Sequence, residues 1–369
     1  MQKFMFLLVF PFLISGCGGS SNQSSNGGDT TEQSADQGKT MEILAGGATF
    51  PYPLYSKMFG EYKQSHQVEV NYQSIGSGGG IRQLKNKTVD FGATDAFMDQ
   101  QELASVEDSV VHLPTCLGAV TVSYNLPNKP DLNFTPGIVA DISLGNITKW
   151  NDEKIQKVNP DVDLPNQKIV FVHRSDGSGT TFIFTDYLAK VDDEWKHQVG
   201  KGKSVNWPTG LGAKGNSGVA GLIKQTPGAI GYIELAYAIQ NDMSVGAIKN
   251  KSGNFIEPTL ESTRKAADIK LPDDTRITLT NTDADQGYPL SSFTWLILYK
   301  DQAYKNKSKE KVKSIVNLMW WMIHDGQQYT KPLHYAPLSD KAVKKAEAIL
   351  KSVTYNGEPV LEDQVTAKQ

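Results

Sequence analysis

The chain has 369 residues, of which 39% are hydrophobic and 21% charged, and its formal net charge is -3. This length can bury a sizeable core and predicts two lobes or domains, while a mean hydropathy of -0.38 excludes a polytopic membrane protein. The nearly balanced charge argues against nucleic-acid binding, which needs a basic face. Any bound anion must therefore be held by a local site.

The first residues have the pattern of an export signal. Lys3 precedes the apolar run Phe4–Ile14, which is shorter than the ~20 residues that span a bilayer but suits a secretory signal. The next residues, Ile14-Ser15-Gly16-Cys17, resemble a bacterial lipobox. We therefore expect a signal peptide at residues 1–16, a lipidated Cys17 and attachment to a membrane outside the cytoplasm. A plain signal peptide followed by a coincidental cysteine is the alternative.

Residues 17–40 are rich in Ser, Gly, Asn and Gln and contain no large apolar residue. Such a segment cannot bury enough surface to offset its ordering entropy, so we predict a flexible tether.

The only cysteine besides Cys17 is Cys116, in the apolar run LPTCLGAVTVSYN. We expect its thiol to be buried in a strand and the fold to contain no disulfide.

From Met41 onward, short apolar strands alternate with helical patterns. This alternation predicts an α/β fold with helices on both faces of a sheet. The predicted strands are MEILAGGA, VEVNYQSIG, VDFGATDA, KIVFVHR and FTWLILYK, and the main predicted helices are PLYSKMFGEYKQS, GIRQLKN, TTFIFTDYLAK, KEKVKSIVNLMWWMIHDG and DKAVKKAEAILKSV.

Four segments share one design, in which a strand ends in a turn of small residues and a helix is predicted to start at once. They are GGATFP at 46–51, GSGGG at 76–80, GATD at 92–95 and VHRSDGSGTT at 172–181. The free N–H groups and the dipole of a helix's first turn attract an anion, and Ser and Thr add hydroxyl donors. Several such turns with Arg174 among them point to a tetrahedral oxyanion.

Nucleotide and hydrolase motifs lack the residues that they require. A P-loop needs a lysine after its last glycine, but GSGTT has none, and GLGAKGNSG places Lys214 before Gly-Asn. SIGSGGGIRQL matches a dinucleotide loop only loosely. DGSG lacks the G-x-S-x-G spacing of a serine hydrolase. A phosphatase with Ser178 as nucleophile stays open, although no motif supplies its metals or its leaving-group acid. The six histidines form no metal motif, and we expect no metal or cofactor.

Six stretches together resemble the phosphate-binding protein of bacterial high-affinity phosphate ABC transporters, from about Met41 almost to the C-terminus. They are GGATFPYPLYSKMFGEY, VNYQSIGSGGGIRQL, VDFGATDA, HRSDGSGTTFIFTDYL, NWPTGLGAKGNSGVAGLIKQTPGAIGYIELAYA and HYAPLSD. The resemblance implies an α/β periplasmic-binding-protein fold (type II-like) with two lobes, each a sheet flanked by helices. It places one lobe at 41–122 plus 289–369 and the other at 123–288. The hinge crossings are expected near Val122-Ser123 and Pro289-Ser291.

The resemblance also implies a ligand set that is split between the lobes. One side would supply the Thr49 hydroxyl and backbone, the Phe50 backbone N–H, the Ser77 hydroxyl and the Asp95 carboxylate. The other side would supply the Arg174 guanidinium and the start of a helix, with Asp176 tuning the arginine. The helix start comprises Ser178, Gly179 and Thr180.

Asp95 predicts selectivity for phosphate over sulfate. An ionised carboxylate only accepts hydrogen bonds, and phosphate near neutral pH keeps a proton to donate whereas sulfate has none.

We expect a monomeric, non-enzymatic protein that closes on inorganic phosphate and delivers it to a membrane permease and ATPase. A binding protein for another oxyanion is an alternative, against which Asp95 argues. A secreted phosphatase is the other.

Overall fold

The computed structural model describes residues 40–361. The predicted signal peptide, Cys17 and all of the predicted tether except Thr40 lie outside the described residues. Within the described range, no helix combines the length and the apolar character needed to cross a membrane.

Fifteen strands and twelve α-helices make up the described part of the chain. The strands are β1 (Met41–Gly47), β2 (Val68–Ser74), β3 (Phe91–Thr94), β4 (Val110–Tyr124), β5 (Asn133–Phe134), β6 (Val170–Arg174), β7 (Leu211–Ala213), β8 (Ala229–Glu234), β9 (Ser244–Val245), β10 (Ala247–Lys249), β11 (Phe255–Ile256), β12 (Leu279–Thr280), β13 (Leu290–Tyr299), β14 (Thr354–Tyr355) and β15 (Glu358–Pro359). The helices are α1 (Tyr52–His66), α2 (Ser77–Lys85), α3 (Gln100–Ala104), α4 (Pro136–Leu144), α5 (Glu153–Val158), α6 (Gly179–Val191), α7 (Asp193–Gln198), α8 (Gly215–Gln225), α9 (Leu235–Gln240), α10 (Leu260–Ala266), α11 (Lys309–Ile323) and α12 (Asp340–Lys351). Two 3₁₀ helices, Asp325–Tyr329 and Lys331–Leu333, lie between α11 and α12.

One ten-stranded mixed sheet organises the fold. Its main path runs β2-β1-β3-β13-β4-β8-β6-β7, with β12 beside β13 and β9 beside β4. β1 pairs in parallel with β2 and β3, and β6 pairs in parallel with β7 and β8, whereas β13 and β4 run antiparallel to their neighbours. A three-stranded sheet, β11-β10-β5, and the β14-β15 pair complete the strands.

The 15-residue strand β4 passes from one half of the large sheet to the other. Up to Ala119 it pairs with β13, and from Val120 it pairs with β8. We call β2, β1, β3, β13 and the start of β4 the first half-sheet. The end of β4 with β8, β6 and β7 is the second half-sheet. The change of partner lies a few residues before the crossing expected at Val122-Ser123, and the lobe boundaries stay a prediction.

Burial explains why the central strands have continuous apolar or small side chains. All ten residues of β13 are buried, as are thirteen of the fifteen in β4, because neighbouring strands and helices cover them. α12 shows the opposite pattern, with Ala342, Ala346, Ile349 and Leu350 buried and polar residues between them, as expected for a helix with one face on the core. The largest apolar cluster draws on both half-sheets.

The predicted elements are present, with one correction. Cys116 is a buried free thiol in β4 as expected, and Trp320 and Trp321 pack against the core. The prediction that a helix starts directly after GATD is wrong. α3 begins five residues after Asp95, where Asp99 and Glu102 form a capping box. Asp95 is therefore held by side chains around the end of β3, and the N-terminus of α3 does not support it.

Candidate anion-binding site

Arg174 ends β6 as a buried cation with a carboxylate partner. Its side chain is 1% exposed, and that of Asp176 is 12% exposed. Arg174 Nε donates to Asp176 Oδ1 at 2.7 Å and Nη2 donates to Oδ2 at 2.6 Å, a bidentate geometry that fixes the guanidinium plane. The N–H of Gly215 donates to Asp176 Oδ1 as well. Burial alone would raise the pKa of Asp176, but Arg174 and Gly215 outweigh it and hold the pKa below its usual value.

The N-terminus of α6 lies beside this ion pair. Ser178 is the N-cap, and its hydroxyl accepts from the N–H of Thr181 at 3.0 Å. The N–H of Ser178 donates to the Lys203 carbonyl. The Thr180 hydroxyl accepts from Arg174 Nη1 at 3.4 Å. The first-turn N–H groups of Gly179 and Thr180 precede the intrahelical hydrogen-bond ladder, so this end of the helix can receive an anion.

Asp95 lies at the end of β3 and is 2% exposed. Its Oδ1 accepts from the Thr294 hydroxyl at 2.7 Å and its Oδ2 accepts from the Ser77 hydroxyl at 3.3 Å. Burial raises the pKa of Asp95 to about 7, against the lowering effects of Thr294, Arg174 and Ser77. This carboxyl therefore changes its protonation state near neutral pH.

Thr49 and Phe50 form the turn between β1 and α1. The helix begins at Tyr52, and the N–H of that residue donates to the Thr49 carbonyl at 3.3 Å. Thr49 is 6% exposed and Phe50 is fully buried. The turn carries the hydroxyl and backbone groups that the family resemblance implies for this side of the site.

The two sides of the site are in direct contact. The N–H of Gly78 donates to the carbonyl of Gly177 at 2.9 Å. A β-carbon on Gly179 would lie 2.6 Å from both Asp95 Oδ2 and Ser77 Oγ, so only glycine permits this approach. Through these contacts and the Asn216 bridge described next, the structure brings together all nine residues predicted at the site. Their roles as ligands stay a prediction.

Asn216 connects the two sides, and the sequence analysis did not single it out. Its Nδ2 donates to the Thr49 hydroxyl at 2.9 Å and to the Thr180 hydroxyl at 3.0 Å, and its N–H also donates to the Thr49 hydroxyl. Because the Thr49 oxygen accepts these bonds, its own proton is available to a ligand. The only sequence signal was the position of Asn216 in the stretch GLGAKGNSG, after a glycine and near a helix start.

Two further residues that hold the site were missed. Thr294 bonds Asp95 from β13, and Tyr237 of α9 donates its hydroxyl proton to the Thr49 carbonyl at 2.6 Å. Nothing in the sequence marks Thr294, a single hydroxyl within an apolar strand. Tyr237 lies in α9. In the sequence this helix is only the end of the longer stretch that closes with GYIELAYA, and no separate signal marks it.

A cavity of about 700 Å³ borders the site. Thr49 from one side and Asp176 from the other both line it, together with Lys214 and Gly215. The cavity offers an anion a route to the buried groups. In the described range, no set of three or more His, Cys, Asp or Glu side chains could hold a metal ion.

The fold, with a candidate site between its two half-sheets, defines the class of two-lobed periplasmic binding proteins. A PBP superfamily domain matches residues 24–315. The "Phosphate-binding protein PstS" of Xylella fastidiosa is 42% identical over 345 residues, which cover 91% of this chain and 93% of that protein. The protein of the same name from Pasteurella multocida is 40% identical over 311 residues, with 83% and 89% covered. The chain belongs to the PstS phosphate-binding protein family.

A solved structure shares the fold at lower identity. It is a putative phosphate ABC transporter substrate-binding protein from Clostridium perfringens with bound phosphate. The TM-score is 0.60 at 18% identity, over 81% of this chain and 100% of that one. The likeness supports the two-lobed architecture.

Proposed function

We propose that this protein binds inorganic phosphate between its two half-sheets and delivers it to an ABC permease for import. Membership of the PstS family supports the ligand class. The observation that carries the proposal is the convergence of a buried arginine, a helix N-terminus and a buried carboxyl of raised pKa on one point. Such a set fits a tetrahedral anion that carries both negative charge and a proton.

Each predicted residue has a distinct role in this proposal. Arg174 and the N–H groups of Gly179 and Thr180 bind phosphate oxygens from one side. The hydroxyls of Thr49 and Ser77 and the N–H of Phe50 bind from the other, and Asp95 shares a proton with the ligand. Ser178 caps α6 and orients its first turn. Asp176 offsets the charge of Arg174 and fixes its plane.

The proton explains the selectivity. A dianionic phosphate with a protonated Asp95 holds the same number of protons as a monoanionic phosphate with an ionised Asp95. Either way one proton lies between the two, and the hydrogen bond is satisfied. Sulfate brings no proton, so at pH values where Asp95 is ionised two acceptors would meet in a buried site.

Delivery follows from closure. Because the proposed ligands come from both half-sheets, bound phosphate makes contacts in the closed form that an open form lacks, and the closed population rises. A permease with its ATPase would recognise that form.

We place the lobes at 41–122 plus 289–369 and at 123–288, and propose a monomer anchored outside the cytoplasm through Cys17. We propose no enzymatic activity, because Ser178, the nucleophile that a phosphatase would need, serves as a helix cap.

Calorimetric titration of the purified protein with phosphate and with sulfate tests the proposal. We expect one phosphate per chain and, above pH 7 where Asp95 is ionised, a preference over sulfate that grows by about tenfold for each pH unit. Comparable affinities for the two anions would contradict the assignment. Hydrolysis of a chromogenic phosphate ester by the protein would contradict the absence of catalysis.

A further inference from the structure

Glu234 is a fully buried carboxyl at the end of β8, where that strand pairs with Val120 of β4. Its Oε2 accepts from the N–H of Ala236 at 2.8 Å and caps α9. Its Oε1 has no hydrogen-bond partner among the described residues. A buried carboxylate in this position would leave a charged oxygen without a donor, which is costly.

The neighbouring tyrosine indicates where a proton lies. The hydroxyl of Tyr335 is 2.7 Å from the Phe50 carbonyl oxygen and 3.3 Å from Glu234 Oε2. A tyrosine hydroxyl has one proton to donate, and a carbonyl oxygen can only accept. The shorter contact therefore takes the Tyr335 proton. The longer contact is a full hydrogen bond when Glu234 carries a proton on Oε2 and donates it to the Tyr335 oxygen.

Four groups face Glu234, and none of them is a cation. They are Cys116 on β4, Asp95 at the end of β3, Tyr237 on α9 and Tyr335 before α12. None of the ion pairs in the described range involves Glu234. Burial raises the pKa of Glu234 well above its usual value and outweighs the lowering effects of the Ala236 N–H, the Tyr335 hydroxyl and the Tyr237 backbone. The nearby charge of Asp95 acts in the same direction as burial.

Glu234 is linked to both carbonyls of the Thr49-Phe50 turn. Tyr335, its hydrogen-bond partner, binds the Phe50 carbonyl. Tyr237, three residues along the helix that Glu234 caps, binds the Thr49 carbonyl, which belongs to the same peptide group as the Phe50 N–H. The orientation of that N–H therefore depends on a helix that begins at Glu234.

The Phe50 ring is fixed as well. A β-carbon on Gly118 would lie 2.4 Å from the ring, so the ring rests directly on the backbone of β4. The backbone of Tyr335 is held beside the same strand, because Ala336 forms a two-way bridge with Leu117. The turn is thus held at its ring and at both of its carbonyls.

We propose that Glu234 is protonated in the folded protein and acts as a positioning residue for the anion-binding turn. Its proton continues a hydrogen-bond chain through Tyr335 to Phe50, and its cap fixes the helix that carries Tyr237. The effect on phosphate rests on the function proposed above, whereas the protonation of Glu234 does not. This hydrogen-bond chain also gives Tyr335 a role. Tyr335 belongs to the HYAPLSD stretch, for which the sequence alone predicts no role.

Infrared spectroscopy of the full protein at pH 8 tests the protonation directly. At this pH Asp95, with a pKa of about 7, is mostly ionised. We expect a protonated-carboxyl C=O band in the wild type that persists in Asp95→Asn and disappears in Glu234→Gln. If Glu234→Gln does not fold, the same band should shift in Tyr335→Phe, because the carboxyl loses its acceptor. A spectrum without a band that responds to either change would overturn the protonation.

Phosphate titration tests the positioning role. Tyr335→Phe should weaken phosphate binding about three- to tenfold, since one buried hydrogen bond to the turn is lost. Glu234→Gln, which stays neutral, should weaken it less, and the double variant should be no weaker than Tyr335→Phe alone. Tyr124→Phe is the matched control, because that buried hydroxyl donates to the Pro130 carbonyl away from the site.

Two outcomes would overturn the role in positioning. Wild-type phosphate affinity in Tyr335→Phe would show that the Thr49-Phe50 turn does not depend on the hydrogen-bond chain through Tyr335. Tighter phosphate binding in Glu234→Gln would show that an ionised Glu234 repels the anion. If the wild type binds no phosphate, the proposed function fails, while the infrared result still decides whether Glu234 is protonated.

Discussion

Arg174 and Asp95 lie on opposite sides of the candidate site, and their charges are treated differently. Arg174 is buried in a bidentate pair with Asp176, so its charge is largely matched before any ligand arrives. Asp95 is equally buried, but within the described part of the chain its carboxyl accepts hydrogen bonds only from the hydroxyls of Thr294 and Ser77. The pKa of Asp176 is accordingly lowered, whereas that of Asp95 is raised to about 7.

This difference separates attraction from selection. On the Arg174 side, the Arg174 guanidinium paired with Asp176 and the N-terminus of α6 attract any anion that fits. These groups have little preference for the anion's protonation state. On the Asp95 side a buried carboxyl, which forms none of the ion pairs in the described range, requires a proton at the interface with the ligand. The site should therefore discriminate by protons more than by charge.

Asp95→Asn should have the largest effect, because it removes the proton requirement. The asparagine amide can donate to an anion that brings no proton, so sulfate should bind, and the phosphate preference seen above pH 7 should largely disappear. Competition calorimetry with both anions measures it. Asp90→Asn is the matched control, since Asp90 is a buried carboxylate immediately before β3 that pairs with Lys307 and Lys311. A variant that still rejects sulfate would place the selectivity elsewhere.

Arg174→Ala should weaken both anions to a similar extent and leave their ratio unchanged. A charge-assisted hydrogen bond contributes ~1.5–3 kcal/mol, which corresponds to about a 10- to 100-fold loss of affinity. Arg276→Ala is a suitable control, because Arg276 also pairs with an aspartate two residues away, Asp274, but through a single carboxylate oxygen and at the surface. We expect Arg174→Ala to fold, which its thermal transition would check. A change in the phosphate-to-sulfate ratio would break the separation of roles.

Local sequence patterns predicted the fold class and the anion-holding turns, and the family resemblance supplied the individual residues that meet at the site. Alternating apolar strands and helices identify the α/β class, and glycine-rich turns identify places where the backbone can approach a ligand. The turn after β6 illustrates this, since Arg174, Asp176 and Ser178 lie within five residues and their contacts are nearly local.

The residues that were missed act over long distances in the chain. Thr294 reaches Asp95 from a strand 199 residues away, and Asn216 reaches Thr49 over 167. A single Thr or Asn has no periodicity to mark it, so its role depends on strand pairing that the sequence does not display. The helix wrongly predicted after Asp95 has a local cause, because small residues end a strand whether or not a helix follows.

The third prediction concerns pH. It distinguishes Asp95, whose pKa is raised, from Asp176, whose pKa is lowered. Burial raises the pKa of Asp95, so its proton is present below about pH 7 and lost above it. Sulfate binding should then fall by about tenfold for each pH unit above that value and level off below it, because the anion must take up a proton to bind. Titrations between pH 5 and pH 9 at constant ionic strength test this expectation. Asp95→Asn should show no such slope, and a slope that persists there would assign the proton to another group.

The smallest expected effect belongs to the residue that joins the two sides. Asn216→Ala should weaken phosphate about three- to tenfold, since the hydroxyls of Thr49 and Thr180 each lose a hydrogen bond that orients them. Asn159→Ala is the control, a buried asparagine that bonds the Asn133 backbone away from the site.

The effect of Asn216→Ala on selectivity decides how independent the two sides are. If Asn216 only orients hydroxyls, phosphate and sulfate should weaken equally, because both anions use the same donors. If the ratio changes, then Asn216 also sets the distance between Asp95 and the N-terminus of α6, and attraction and selection are not separate. We expect equal weakening, because Gly179 already contacts Asp95 and Ser77 directly and fixes that distance without the asparagine.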